Sequence, residues 1–146
     1  MAETIAIGSD HAGFELKEVL KKHLITHGYT VLDKGTHSAA SVDYPDFAHG
    51  VAEAVSSGAA AFGVLVCGSG NGVNMAANKH SGIRSALAWR ADVAALAREH
   101  NNANVLALPA RFISKEEATE TLDAFLAASF EGGRHQRRVE KIETLH

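Results

Sequence analysis

The chain has 146 residues, 46% of them hydrophobic and 21% charged, which is enough for one domain with its own core and excludes a disordered chain. The net charge of -3 argues against a general nucleic-acid binder and leaves room only for a local basic patch. A single cysteine excludes an internal disulfide and points to a reducing, cytoplasmic setting; there is neither a membrane-length apolar run nor a signal-peptide pattern.

Residues 4–8 (TIAIG) read as a buried strand. Residues 12–27 read as an amphipathic helix, with Leu16, Val19, Leu20, His23 and Leu24 on one face and Lys17, Glu18, Lys21 and Lys22 on the other. Gly28 stands where a C-terminal cap belongs, and residues 29–33 form a second strand. A polar loop spans 34–44. Pro45 suits the first turn of a helix that ends at Gly58. Residues 60–67 (AAFGVLVC) are almost unbroken apolar, as in a strand buried on both faces. The glycine-rich stretch 68–72 leads into a short helix that ends near Lys79. Residues 85–88 and 105–108 are two more strands, separated by a helix over 90–100. Ser114 and Glu117 form a capping box whose helix buries Ala118, Thr121, Leu122, Phe125 and Leu126. A basic helix closes the chain.

This alternation predicts a single Rossmann-like three-layer α/β/α domain over 1–146, with right-handed crossovers and a five-stranded parallel sheet of order 2-1-3-4-5. In that order a crevice opens beside the carboxyl ends of strands 1 and 3. Strand 1 ends in Gly8-Ser9-Asp10-His11, and strand 3 in Cys67-Gly68-Ser69-Gly70-Asn71-Gly72. Three glycines in five residues let backbone N–H groups point at one oxyanion, although a plain tight turn would use them too. The pattern is neither GxGxxG nor a P-loop, which disfavours dinucleotides and triphosphates.

Cys67 could simply finish a core strand. Facing a crevice beside a helix start, its thiol would ionise more readily than usual and serve as nucleophile, redox centre or base. Asp10 is a candidate cap for the first helix, and His11 a donor to an anion. His100 ends a helix, where the dipole favours it or where it could transfer protons. His23 and His27, at i, i+4, have no third ligand nearby and read as a core-edge residue and a dipole partner. His49 and His80 show no ligand spacing. The basic stretch 134–138 reads by default as a solvated face, with nucleic acid as a weaker reading. A narrower reading is that Arg134 and Arg138, one turn apart, grip a phosphate together with Arg111.

Gly-Ser-Asp10-His11-Ala-Gly-Phe, Asp43-Tyr44-Pro45, Cys67-Gly-Ser69-Gly-Asn-Gly, Ala-Ala-Asn78-Lys79, His100-Asn101 and Glu-Gly-Gly-Arg134-His135-x-x-Arg138 run through nearly the whole chain. In this order they resemble the type B ribose-5-phosphate isomerases, a family shared with galactose-6-phosphate isomerase subunits. The resemblance implies a homodimer, or a tetramer, with active sites between subunits, no metal or other cofactor, and interconversion of a phosphorylated aldose and ketose through an enediolate. It makes Cys67 the base between C1 and C2. A branch that lacks this cysteine uses a glutamate after the glycine loop, where this chain has Val73. Ser69 is matched by Ser or Thr, and the backbone of Gly68, Gly70, Asn71 and Gly72 would hold the enediolate oxygens. His100 would open the sugar ring, with Asp10 and Tyr44 assisting. His11, Arg111, Arg134 and Arg138 would bind phosphate, and Asn101 the sugar hydroxyls. Ribose 5-phosphate is the expected substrate. The alternatives are a four- or six-carbon sugar phosphate of erythrulose, allose or galactose type, and a non-catalytic phosphate- or nucleotide-binding module. A thiol redox protein ranks last, since no resolving cysteine exists.

Overall fold

A computed structural model describes residues 3–143. Its elements are β1 (Thr4–Ser9), α1 (Phe14–Thr26), β2 (Thr30–Asp33), α2 (Tyr44–Ser56), β3 (Phe62–Cys67), α3 (Asn71–Ala77), β4 (Ser85–Leu87), α4 (Ala91–Asn101), β5 (Val105–Pro109), α5 (Lys115–Ala127) and α6 (Arg134–Ile142). All strand pairs are parallel. No helix among the described residues is long and apolar enough to cross a membrane.

The strand order is β2-β1-β3-β5-β4, so the expected 2-1-3-4-5 is corrected at one edge. Burial explains the exchange. β5 is apolar and buried at every residue, which suits an interior strand. β4 has three residues, all half-buried, and fits the edge. Right-handed crossovers then fix the faces. α2 and α3 carry the chain toward the β4 edge and cover one face, packing on Ala6, Leu65, Cys67, Val105 and Ala107. α1 and α4 carry it the other way and share the opposite face with α5, over Ile5, Ile7, Val64, Val66, Leu106 and Leu108.

Helix α5 has its capping box: the Ser114 hydroxyl accepts the Glu117 amide at 3.0 Å, and Glu117 returns an acceptor to the Ser114 amide at 2.9 Å. Those bonds hold the Glu117 carboxyl below its ordinary pKa. Ala118, Thr121, Leu122 and Phe125 are buried as expected, while Leu126 is only partly covered.

Helix α1 departs from its expected pattern at Lys17, which the spacing places on the solvent face and which is fully buried. Its ammonium donates to both carboxylate oxygens of Asp33 at 2.8 Å, and Lys21 adds a bond at 3.0 Å. Period-3.6 patterning sorts residues by polarity and cannot see a carboxylate waiting at the end of β2. The first turn also differs. Asp10 does not cap the first helical residue; its Oδ1 accepts the Gly13 amide at 2.9 Å, one residue earlier. His23 pairs with Asp123 at 2.8 Å, and His27 Nδ1 meets the His23 carbonyl at 2.8 Å.

Candidate active site

The carboxyl ends of β1, β3 and β5 lie side by side. Ser9 is in register with Val66, and Cys67 with Pro109. Beyond them opens a cleft of about 520 Å³, lined by Asp10, His11, Ala12, Tyr44, Cys67, Gly68, Ser69, Gly72, Arg111 and Phe112. The corrected strand order matters here. With β5 beside β3, the Ala110 amide donates to the Cys67 carbonyl at 2.9 Å and the Arg111 amide to the Gly68 carbonyl at 3.0 Å. These bonds pin the glycine loop from one side and carry Arg111 and Phe112 into the cleft wall. Phe112 was not singled out from the sequence. The usable signal was the wholly apolar β5, which marks an interior strand whose carboxyl end borders the crevice.

Cys67 is 5% exposed and serves two surroundings at once: it packs in the α2/α3 core and its sulfur meets the loop. The Gly70 amide donates to Sγ at 3.2 Å. That geometry requires Gly70 to be left-handed, at φ 78° and ψ -12°. A Cβ there would also fall 2.5 Å from Leu87 Cδ1. Gly70→Ala is therefore expected to destabilise the fold by about 1–3 kcal/mol, measured by denaturant unfolding, and an unchanged midpoint would refute this account. Gly72 is needed for a different reason: a Cβ would sit 2.5 Å from Tyr44 Cε1, so only glycine lets the Tyr44 ring lie against the loop.

The loop over 34–43 closes the other side. The Ser9 amide donates to the Gly35 carbonyl at 2.8 Å, and the Thr36 amide to the Ser9 carbonyl at 2.9 Å. The Val42 amide donates to His11 Nδ1 at 3.2 Å. With Nδ1 accepting, a neutral imidazole carries its proton on Nε2 and offers a donor. The Arg111 guanidinium lies over Gly68. Among the described residues no carboxylate pairs with Arg111, Arg134 or Arg138.

Not every expected site residue converges here. Asn71 faces a neighbouring cavity of about 370 Å³ with Ser69, Leu87, Trp89, Pro109 and Phe112. His100 and Asn101 close α4, which runs back against the strands for about 16 Å. They therefore lie at the opposite, amino edge of the sheet, where Arg84 Nε donates to the Asn102 carbonyl at 2.8 Å. Asn101 lines a cavity there with Asn78, Arg84, Ser85, Ala86, Ala103 and Ile142. Arg134 and Arg138 sit on α6, which packs on α4 through buried His135 and Val139. The His135 ring stacks on the His100 ring at 4.2 Å. Within one chain the expected residues thus fall into two separate groups: those around the Cys67 cleft at one sheet edge, and His100, Asn101, Arg134 and Arg138 at the other. A second unforeseen pair, His49 Nδ1 and His80 Nε2 at 2.7 Å, ties α2 to the turn after α3 across 31 residues of sequence.

Comparisons agree over almost the full length. A family model described as Ribose/Galactose Isomerase matches residues 5–142. Ribose-5-phosphate isomerase B of Escherichia coli (strain K12) is 47% identical over 141 residues, covering 97% of this chain and 95% of that protein. Among solved structures, a ribose 5-phosphate isomerase from Thermotoga maritima superposes with a TM-score of 0.96 at 52% identity, over 98% of this chain and 99% of that one. Ribose-5-phosphate isomerase B from Mycoplasma genitalium, with bound ribulose-5-phosphate, has a TM-score of 0.94 at 48% identity, over 98% and 95%.

Proposed function

The chain belongs to the ribose/galactose isomerase family, and from that premise we propose that it interconverts ribose 5-phosphate and ribulose 5-phosphate through an enediolate formed at the Cys67 cleft. The observation that carries this reading is the thiol of Cys67 held beneath the Gly70 amide, with His11, Tyr44 and Arg111 around one cleft.

The chemistry follows from the residue types. In the open aldose the C1 carbonyl acidifies the C2 hydrogen. The Cys67 thiolate takes that proton, and the electron pair moves through C1–C2 onto the C1 oxygen. Amides of the 68–72 loop, with the Ser69 hydroxyl, hold the enediolate oxygens; a donor of this kind contributes about 3 kcal/mol to the transition state. The thiol then returns its proton to C1 as the C2 oxygen gives up its own to the C1 oxygen. His11 Nε2–H and the guanidiniums of Arg111, Arg134 and Arg138 hold the phosphate, whose binding orients carbons that it never touches chemically. His100 opens the closed sugar, with Asp10 and Tyr44 assisting, and Asn101 binds hydroxyls.

Because the two groups of residues lie at opposite sheet edges, a complete site needs two chains. A two-fold axis pairs each cleft with the other chain's His100, Asn101, Arg134 and Arg138, and the exchange is reciprocal. We read the protein as such a homodimer, in the cytoplasm, where its thiol stays reduced. Mixing inactive Cys67→Ala and His100→Gln chains is expected to restore about a quarter of wild-type activity, because half the dimers are mixed and each of those has one intact site. A mixture as inactive as its parents would reject the shared site. Comparing kcat/KM on aldose phosphates of four to six carbons tests the substrate; a preference for any but ribose 5-phosphate would overturn that choice.

A further inference from the structure

His100 ends a helix, is more than a third exposed, and has no hydrogen bond on either ring nitrogen among the described residues. Nothing in α4 itself fixes its ring. The segment after α5 packs beside it. The Glu131 amide donates to the Glu99 carbonyl at 3.0 Å, which ties that segment to the last turn of α4. Glu131 Oε1 then lies 3.6 Å from Nε2 of both His100 and His135. The two rings stack almost parallel, at 12°. His135 is 6% exposed, its Nε2 has no hydrogen-bond partner among the described residues, and Val139 is buried one turn further along the same helix face.

Such an arrangement differs from a chelate. A shared metal ion needs lone pairs that converge on one point, and parallel rings present theirs side by side. It differs from a salt-bridge network too, because two stacked imidazoliums would repel each other. Burial, with the charges of His100, Arg134 and Arg138, lowers the His135 pKa against the pull of Glu131. His135 therefore takes up a proton less readily than a free imidazole and offers its flat face to His100, with Glu131 Oε1 placed equally near both rings.

We propose that His135 is a positioning residue for His100, its buried ring stacked on the His100 ring and Glu131 spanning both Nε2 atoms, so that His100 meets the closed sugar in one orientation. The inference rests on the reading of His100 as the ring-opening group.

The two substrates separate ring opening from proton transfer between carbons. Ribose 5-phosphate arrives as a closed hemiacetal. Ribulose 5-phosphate cannot close a five-membered ring, because the oxygen on C5 is esterified, so it reaches the site open. His135→Ala is expected to slow conversion of ribose 5-phosphate about 10²-fold, while deuterium exchange from solvent into ribulose 5-phosphate stays within about twofold of wild type. His135→Phe, which keeps the plane, should recover most of the lost rate. His100→Gln serves as the reference. If it converts ribose 5-phosphate at the wild-type rate, the reading of His100 itself fails. If it is slow while His135→Ala is not, or if His135→Ala loses both reactions equally, the positioning role is overturned.

Discussion

Cys67→Ala is expected to lower isomerisation by about 10³-fold, within the range that a positioned general base contributes. Deuterium exchange from solvent into either sugar phosphate should disappear with it, because both read the same proton transfer. Phosphate-ligand binding, followed by calorimetry, should survive: His11 is held by the Val42 amide and Arg111 by the end of β5, and neither depends on the sulfur. The side chain touches the α2/α3 core as well as the cleft, so some stability is lost. Cys67→Ser separates the effects, since it keeps the shape but its hydroxyl holds its proton at neutral pH. Turnover near wild type in the alanine variant would remove Cys67 from the chemistry. Loss of ligand binding along with turnover would make it a structural residue.

The second large effect lies away from the cleft. Asp33→Ala strands the fully buried ammonium of Lys17, leaving it, among the described residues, Glu18 at 3.5 Å and the face of the Phe14 ring at 5.5 Å. Breaking a buried pair from one side costs about 3–5 kcal/mol, and Glu18 places the expected loss near about 3. For a chain of this size that lowers Tm by about 10 °C, at fixed protein concentration. Lys17→Met combined with Asp33→Leu should regain much of it, because the cost lies in the unpaired charge. The pH dependence has a definite sign. Burial raises the Asp33 carboxyl, but hydrogen bonds from Lys17, the Gly35 amide and Lys21 outweigh it, and the net pKa is lowered. The folded state therefore binds this proton less readily than the unfolded one. The contribution is complete above the ordinary carboxylate pKa of about 4 and is lost as pH falls through the lowered native value. Asp33→Asn should flatten that acid limb. A loss below about 1 kcal/mol in the alanine variant would show the pair to be dispensable. Since the Gly35 carbonyl accepts the Ser9 amide, loosening Asp33 should also slacken the loop that holds His11.

Local chemistry was legible in the sequence because it is encoded over a few residues. Apolar runs, the Ser114–Glu117 box and Pro45 placed the elements to within about two residues. The crevice between β1 and β3 followed from alternation alone, and it brought Asp10, His11, Cys67 and Ser69 together across almost sixty positions. Where pairing partners are remote in sequence, the reading failed. The position of β5, and with it Phe112 in the cleft wall, depended on which strand better tolerates the edge. Lys17 depended on Asp33.

Residue order by itself therefore determined the alternating fold, the switch-point crevice and the family, since each is written in local patterning and in motifs whose spacing survives without coordinates. Only the tertiary structure decided that His100, Asn101, Arg134 and Arg138 lie at the far edge of the sheet from Cys67. For His100 and Asn101 the reason is geometric: a crossover helix must run antiparallel to its strands, so a residue that closes a helix and one that closes a strand end on opposite sides of the same layer; Arg134 and Arg138 follow because α6 packs on α4.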